Sequence, residues 1–289
     1  MLVVDNGCRV DGARPDASIA VRTADEITAQ GGEALAASAD VRNRTEVGSA
    51  IESAIGRWGS LDAVVNAAGI IRLNDVLTAT DDDWQTHFDV HVRGAYHVAR
   101  RAIEHWRGNH TTYGRIVNFT SAAGLEGIPH MLVYSTVKAA VIGLSQTLAA
   151  SVPAGVTVNT VYPIGWTRMA IRGSGEDAVS ARRTTGDWPT NPLIDPAYTA
   201  PLVSYLLSDA AAEINGRLVG NIGRLYTALD DRQTIRSVVS ETTVGGDIVN
   251  DIAVAFADLG SLPNRWQIDV VNNAVPRDDF PIDELDDVR

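Results

Sequence analysis

Lysine is almost missing from this chain: of its 24 lysines and arginines in 289 residues, only Lys138 is a lysine. Cysteine is as scarce, and the single Cys8 excludes an internal disulfide. Basic charge is outnumbered, giving a formal net charge of -12 that argues against a nucleic-acid surface. The chain shows no signal-peptide pattern, no apolar run of membrane-spanning length, no internal repeat and no low-complexity tract. These absences set the expectation of a soluble, cytoplasmic protein with no membrane partner and no metal site.

The lone lysine stands four residues after Tyr134 in Tyr134-Ser135-Thr136-Val137-Lys138. Residues four apart share a helix face, so an ammonium beside a phenol favours the ionised phenol and lowers its pKa. Arginine would keep the charge but spread it over a planar fork unsuited to a single hydroxyl. Ser121 directly follows the apolar, strand-like run Arg115 to Phe119, which places its hydroxyl at the carboxyl end of a strand. Open α/β sheets bind their ligands at that edge.

Strand candidates are Leu2 to Val4, Ala34 to Ala39, Ala63 to Val65, Ile116 to Phe119, Val156 to Val161 and Arg217 to Val219. Helical stretches between them include Asp81 to Arg107 and Ser135 to Ala150. The alternation implies an α/β fold with a mainly parallel, doubly wound sheet.

Together, Ser121, Tyr134 with Lys138, Val65-Asn66-Ala67-Ala68-Gly69 after a strand, and Asp40-Val41 after an earlier strand resemble the short-chain dehydrogenase/reductase family. A narrower likeness is carried by His87-Phe-Asp-Val-His91-Val-Arg-Gly94 and Asn159-Thr-Val-Tyr-Pro163-Ile-Gly-Trp-Thr167-Arg-Met169. These resemble the dehydrogenase domain of peroxisomal multifunctional enzymes and actinobacterial relatives, among them 3-hydroxyacyl-CoA dehydrogenases.

The resemblance implies a Rossmann-like sheet over residues 1–225 and hydride transfer between NAD and a hydroxyl or ketone of an apolar small-molecule substrate. Ser121, Tyr134, Lys138 and His91 would be catalytic. Asp5, Asp40, Val41, Asn66, Ala67, Gly69, Tyr134, Lys138 and Thr167 would hold the cofactor. His91, where the wider family usually has asparagine, reads equally as a proton relay and as a satisfied helix histidine. The long helices resemble those of the family's dimer interface, so a homo-oligomer is expected.

One family feature is missing. The first strand of this chain resembles the family's second, and no glycine-rich turn precedes it. The sheet should therefore have a slot where a central strand belongs, with the first βα unit absent or supplied by another segment. Weak or absent NAD binding follows, because the diphosphate lacks its backbone donors.

Residues 226–289 read as an extension packing on the domain or on a neighbouring subunit. Within it Ile235 to Ser240 and Trp266 to Val271 look strand-like, and Thr242 to Gly260 loosely resembles a glycine turn leading into a helix. Gly165 to Pro196, with Trp166, Met169 and Trp188, reads as a substrate lid. The alternatives to a dehydrogenase are a cofactor-independent isomerase, dehydratase or cyclase on the same fold, and a non-catalytic partner subunit.

Overall fold

The structure is a computed structural model that describes residues 1–13, 15–173, 194–223 and 225–229. Most of the proposed lid, including Trp188, and the three tail segments lie outside them. Met1–Leu229 forms one compact unit.

Seven strands and seven α-helices are described. The order is β1 (Leu2–Val4), α1 (Ser18–Ala29), β2 (Leu35–Ala37), α2 (Arg44–Trp58), β3 (Ala63–Asn66), α3 (Asp81–His87), α4 (Gly94–Gly108), β4 (Gly114–Phe119), α5 (Leu132–Ala149), β5 (Val156–Ile164), α6 (Arg168–Gly173), α7 (Thr199–Leu207), β6 (Leu218–Ile222) and β7 (Leu225–Leu229). The mostly parallel α/β architecture agrees with the sequence reading, except that β7 returns antiparallel to β6.

Among the described residues the strands fall into two sheets, β1-β2 and β3-β4-β5-β6-β7. Among these residues the expected break falls between β1 and β3.

Alternation along the strands divides the core into two layers. Val64, Ile116, Val156 and Val158 face α4, packing with Ala99, Ala102 and the fully buried Trp106. Val117, Val161 and Val219 face the other way, against Leu206 of α7. Gly114 is required beneath Trp106, because a Cβ there would lie 2.9 Å from the indole ring.

Two helices differ from expectation. The stretch Asp81 to Arg107 is not one α-helix: a π-helical turn, Phe88–Arg93, separates α3 from α4. α5 is, contrary to the sequence reading, long and apolar enough by length and composition to cross a membrane. Its buried side carries Val133, Tyr134, Val137, Lys138, Val141 and Ser145, and it packs against β4 and β5. Its apolar length thus serves the core of this fold.

Candidate active site

The carboxyl edge of β4 builds the centre of the site. After Phe119 the chain is tied to its neighbour by Thr120 N–H donating to Val161 O at 2.8 Å. The Thr120 hydroxyl donates to Lys138 O at 2.6 Å, clamping the strand end onto α5. Ser121 is extended, and its Oγ accepts from Ala123 N–H at 3.2 Å, opening a 3-10 turn. That turn lies directly on α5: a Cβ on Gly124 would come within 2.7 Å of the Lys138 carbonyl carbon, so only glycine fits.

α5 begins where Asn74 holds it, with Val133 N–H donating to Asn74 Oδ1 at 3.2 Å. Tyr134 comes one turn before Lys138, and the Ser121 side chain stands close enough to its hydroxyl to pull the phenol downward. Lys138 Nζ donates to Phe119 O at 3.0 Å and lies 5.6 Å from the Tyr134 ring centre. The three polar groups singled out in the sequence therefore meet at one strand edge.

Their electrostatics correct the sequence argument. Burial pushes the Tyr134 phenol up to about 12, against the opposing pull of the Ser121 side chain. Burial also pushes Lys138 down to about 7. The lysine does not lower the phenol in this arrangement, because its own charge is costly at this depth and its ammonium is spent on a carbonyl.

His91 lies on the π-helical turn, edge-on to the Tyr134 ring with centres 5.6 Å apart. Its Nε2 meets both Ile70 N (3.2 Å) and Ile70 O (2.9 Å), while Nδ1 is buried without a partner. Burial, then the Lys138 charge, hold it well below an ordinary histidine, so it is neutral. Gly69 makes room for the ring, since a Cβ there would sit 2.8 Å from Cε1.

The residues assigned to a cofactor also gather after strand ends. Asp5 follows β1 and accepts from Gly7 N–H at 2.7 Å. Asp40 is gripped by the Arg42 fork, with an ion pair at 2.6 Å. Burial raises the Asp40 carboxyl, but the hydrogen bonds from Arg42 outweigh it and hold the group below its usual range. Val41 O accepts from the His97 ring at 2.9 Å. Asn66 ends β3 and is buried, with Ala67 following, and the Thr167 hydroxyl accepts from Met169 N–H at 3.3 Å at the start of α6.

These residues lie near the carboxyl ends of β1, β2, β3 and β5. Among the described residues, none forms a glycine turn leading from a strand into a helix between β1 and β3.

Sequence reading missed the loop after β1. Val10 O accepts from Ile71 N–H at 2.7 Å, and the Val10 side chain joins Ile128, Met131 and Met169 around the cluster of Ile71, Ala123 and Tyr134. Arg72 fastens the loop by donating to Asp11 O at 3.0 Å and pairing with Asp82 (2.7 Å) and Asp83 (3.2 Å). A cavity of about 410 Å³ lined by Asp11, Ala13, Arg72 and Leu73 lies along this loop and does not include Tyr134. The apolar Val10 between polar neighbours was the available signal.

The mostly parallel α/β sheet is the Rossmann-like fold of the short-chain dehydrogenases. Residues 2–220 match the family model described as Enoyl-(Acyl carrier protein) reductase. The chain belongs to the short-chain dehydrogenase/reductase family, whose members use nicotinamide cofactors.

It is 31% identical over 229 residues to peroxisomal multifunctional enzyme type 2 of Mus musculus, covering 78% of this chain and 29% of that protein. It is 33% identical over 197 residues to hydroxyacyl-CoA dehydrogenase ChsB1 of Mycobacterium tuberculosis, covering 65% of this chain and 59% of the relative. The chain thus spans 29% and 59% of these relatives' lengths, less than two thirds of either. A short-chain dehydrogenase from Mycobacterium avium superposes with a TM-score of 0.72 at 28% identity, covering 88% of this chain and 86% of that one.

Proposed function

We propose that this protein is an NAD-dependent dehydrogenase or reductase acting on a hydroxyl or ketone of an apolar acyl substrate. The observation that carries this reading is the convergence of Ser121 at the carboxyl end of β4 with Tyr134 and Lys138, one helical turn apart on α5, Lys138 Nζ donating to Phe119 O at 3.0 Å. Ser121 orients the substrate oxygen and Tyr134 exchanges its proton. With the phenol up at about 12, Tyr134 stands ready as a proton donor to a carbonyl oxygen. Lys138 holds the second proton of the pair, and His91 supports the phenol ring from its edge. When bound, the nicotinamide accepts or supplies the hydride.

Asp5, Asp40, Val41, Asn66, Ala67, Gly69 and Thr167 are the residues that would hold the cofactor. Asp5 favours NAD over its 2′-phosphorylated form, since a carboxylate accepts ribose hydroxyls and repels phosphate. The acyl-CoA class is favoured by the names of the mouse and mycobacterial relatives. The proposal includes a cytoplasmic homo-oligomer without nucleic-acid or membrane partners.

The test is turnover of 3-hydroxyacyl-CoA thioesters and simple alcohols with NAD and with NADP, followed by nicotinamide absorbance. Tyr134→Phe is expected to lose at least about a hundredfold in kcat. Full activity in that variant would overturn the assignment. The absence of diphosphate donors among the described residues favours one alternative, proton-transfer chemistry without a nicotinamide. Substrate isomerisation or dehydration in cofactor-free buffer would establish it.

A further inference from the structure

His97, Arg100, Arg101 and Glu104 follow one another at i, i+3, i+4 and i+7, so they share one face of α4. Arg44 and Gly48, four apart on α2, share a face in the same way. α2 packs directly on α4, and these two faces, with Thr45, line a cavity of about 310 Å³ between the helices. None of the residues assigned to the redox reaction lines it.

The charge in this cavity is unbalanced. The guanidiniums of Arg44, Arg100 and Arg101 face the single carboxylate of Glu104. Arg100 Nε donates to Glu104 Oε1 at 2.7 Å, while Arg44 reaches the same oxygen only at 3.7 Å, beyond hydrogen-bond range. Arg101 pairs with Glu52, one turn past Gly48 on α2. Two carboxylates thus serve three guanidiniums, and the Arg44 fork makes no hydrogen bond among the described residues. The surplus occurs in a chain of formal net charge -12, in which carboxylates outnumber basic groups.

The surrounding geometry favours an anion as well. Arg44 is the first residue of α2, a helix of 15 residues, so the positive end of its dipole borders the cavity. The nearby Glu46 carboxylate is already taken up by Asn43 Nδ2 at 2.7 Å and Asp40 N–H at 2.8 Å. Gly48 leaves the α2 side open, since a Cβ there meets nothing within 4 Å. His97 is buried and fixed in orientation: a carbonyl only accepts, so Nδ1–H donates to Val41 O at 2.9 Å and Nε2 is the nitrogen available to a ligand.

We infer that the α2–α4 cavity binds the phosphate group of a small phosphomonoester, outside the redox site. A phosphomonoester carries about -1.5 to -2 charge at pH 7 and accepts from Arg44 and Arg100 together, as the one Glu104 oxygen does not. Glu104, whose side chain is 45% exposed, turns outward as the ligand takes its place. The phosphate fills only part of the cavity, which leaves room for a sugar-sized remainder.

The inference does not rest on the redox reading. Its test is a titration of the full chain with ribose 5-phosphate, which lacks the adenine that a cofactor site would accept, at about 0.15 M ionic strength. The readout is the His97 ring signals by NMR, with ribose and with sodium chloride at matched ionic strength as controls. A saturable shift with half-saturation below about 1 mM is expected, and none with either control.

Arg44→Gln alters a side chain that is 59% exposed, and Gly48→Glu places a carboxylate in open space on a helix. Both variants should keep the parent Tm and bind at least about tenfold more weakly, since a hydrogen bond to a charged group is worth that or more. Gly48→Ala should bind like the parent. No saturable shift up to about 10 mM, an equal shift with sodium chloride, or undiminished binding in either Arg44→Gln or Gly48→Glu would overturn the proposal.

Discussion

Lys138 is worth more than its charge because burial has put it near the middle of the working pH range. Lysine at about 7 and phenol at about 12 lose protons as a coupled pair, and the first loss belongs to the pair. Alcohol oxidation needs the pair short of one proton, whereas ketone reduction needs it full. Oxidation kcat/KM should therefore rise about tenfold per pH unit up to roughly 7 and then level, whereas reduction should stay level up to roughly 7 and fall about tenfold per unit above it. Lys138→Arg should abolish that break, since guanidinium does not deprotonate there. pH–rate profiles of both proteins check this.

A second prediction at this scale concerns Gly69. A methyl 2.8 Å from His91 Cε1 must push the ring off Tyr134. Gly69→Ala should cost roughly 1–3 kcal/mol by chemical denaturation and lower kcat, as overpacking does.

Among elements, the π-helical turn illustrates what an i/i+3/i+4 pattern hides. Apolar residues continue across Asp81 to Arg107, so the pattern reads as one helix, yet the widened turn re-aims His91 at Ile70. π-turns of this kind often mark functional sites. The start of α3 was cryptic too: Thr80 and Asp83 form a reciprocal capping box, and Asp83 also pairs with Arg72 beneath the β1 loop. Thr80→Ala should cost about 1 kcal/mol, seen as a lower Tm. A larger loss would indicate that the cap also holds the loop over Tyr134.

At the scale of the molecule, burial of a lysine links stability to pH. Its folded pKa of about 7 lies below the ordinary 10.5, so the unfolded chain binds more protons between these values. Stability should thus rise with pH from about 7 toward 10, by up to about 1.4 kcal/mol per unit. Above 10 the raised phenol acts in the opposite sense. Lys138→Met should flatten the rise in urea titrations.

The chain by itself determined the alternation of strands and helices and the meeting of Ser121 with Tyr134 and Lys138. Both follow from short-range spacing: a strand end and one helical turn. Only the tertiary structure decided the protonation of the site, because desolvation is a property of the surroundings that no spacing records. Tertiary structure likewise brought Val10, far from Tyr134 in sequence, onto the same apolar cluster.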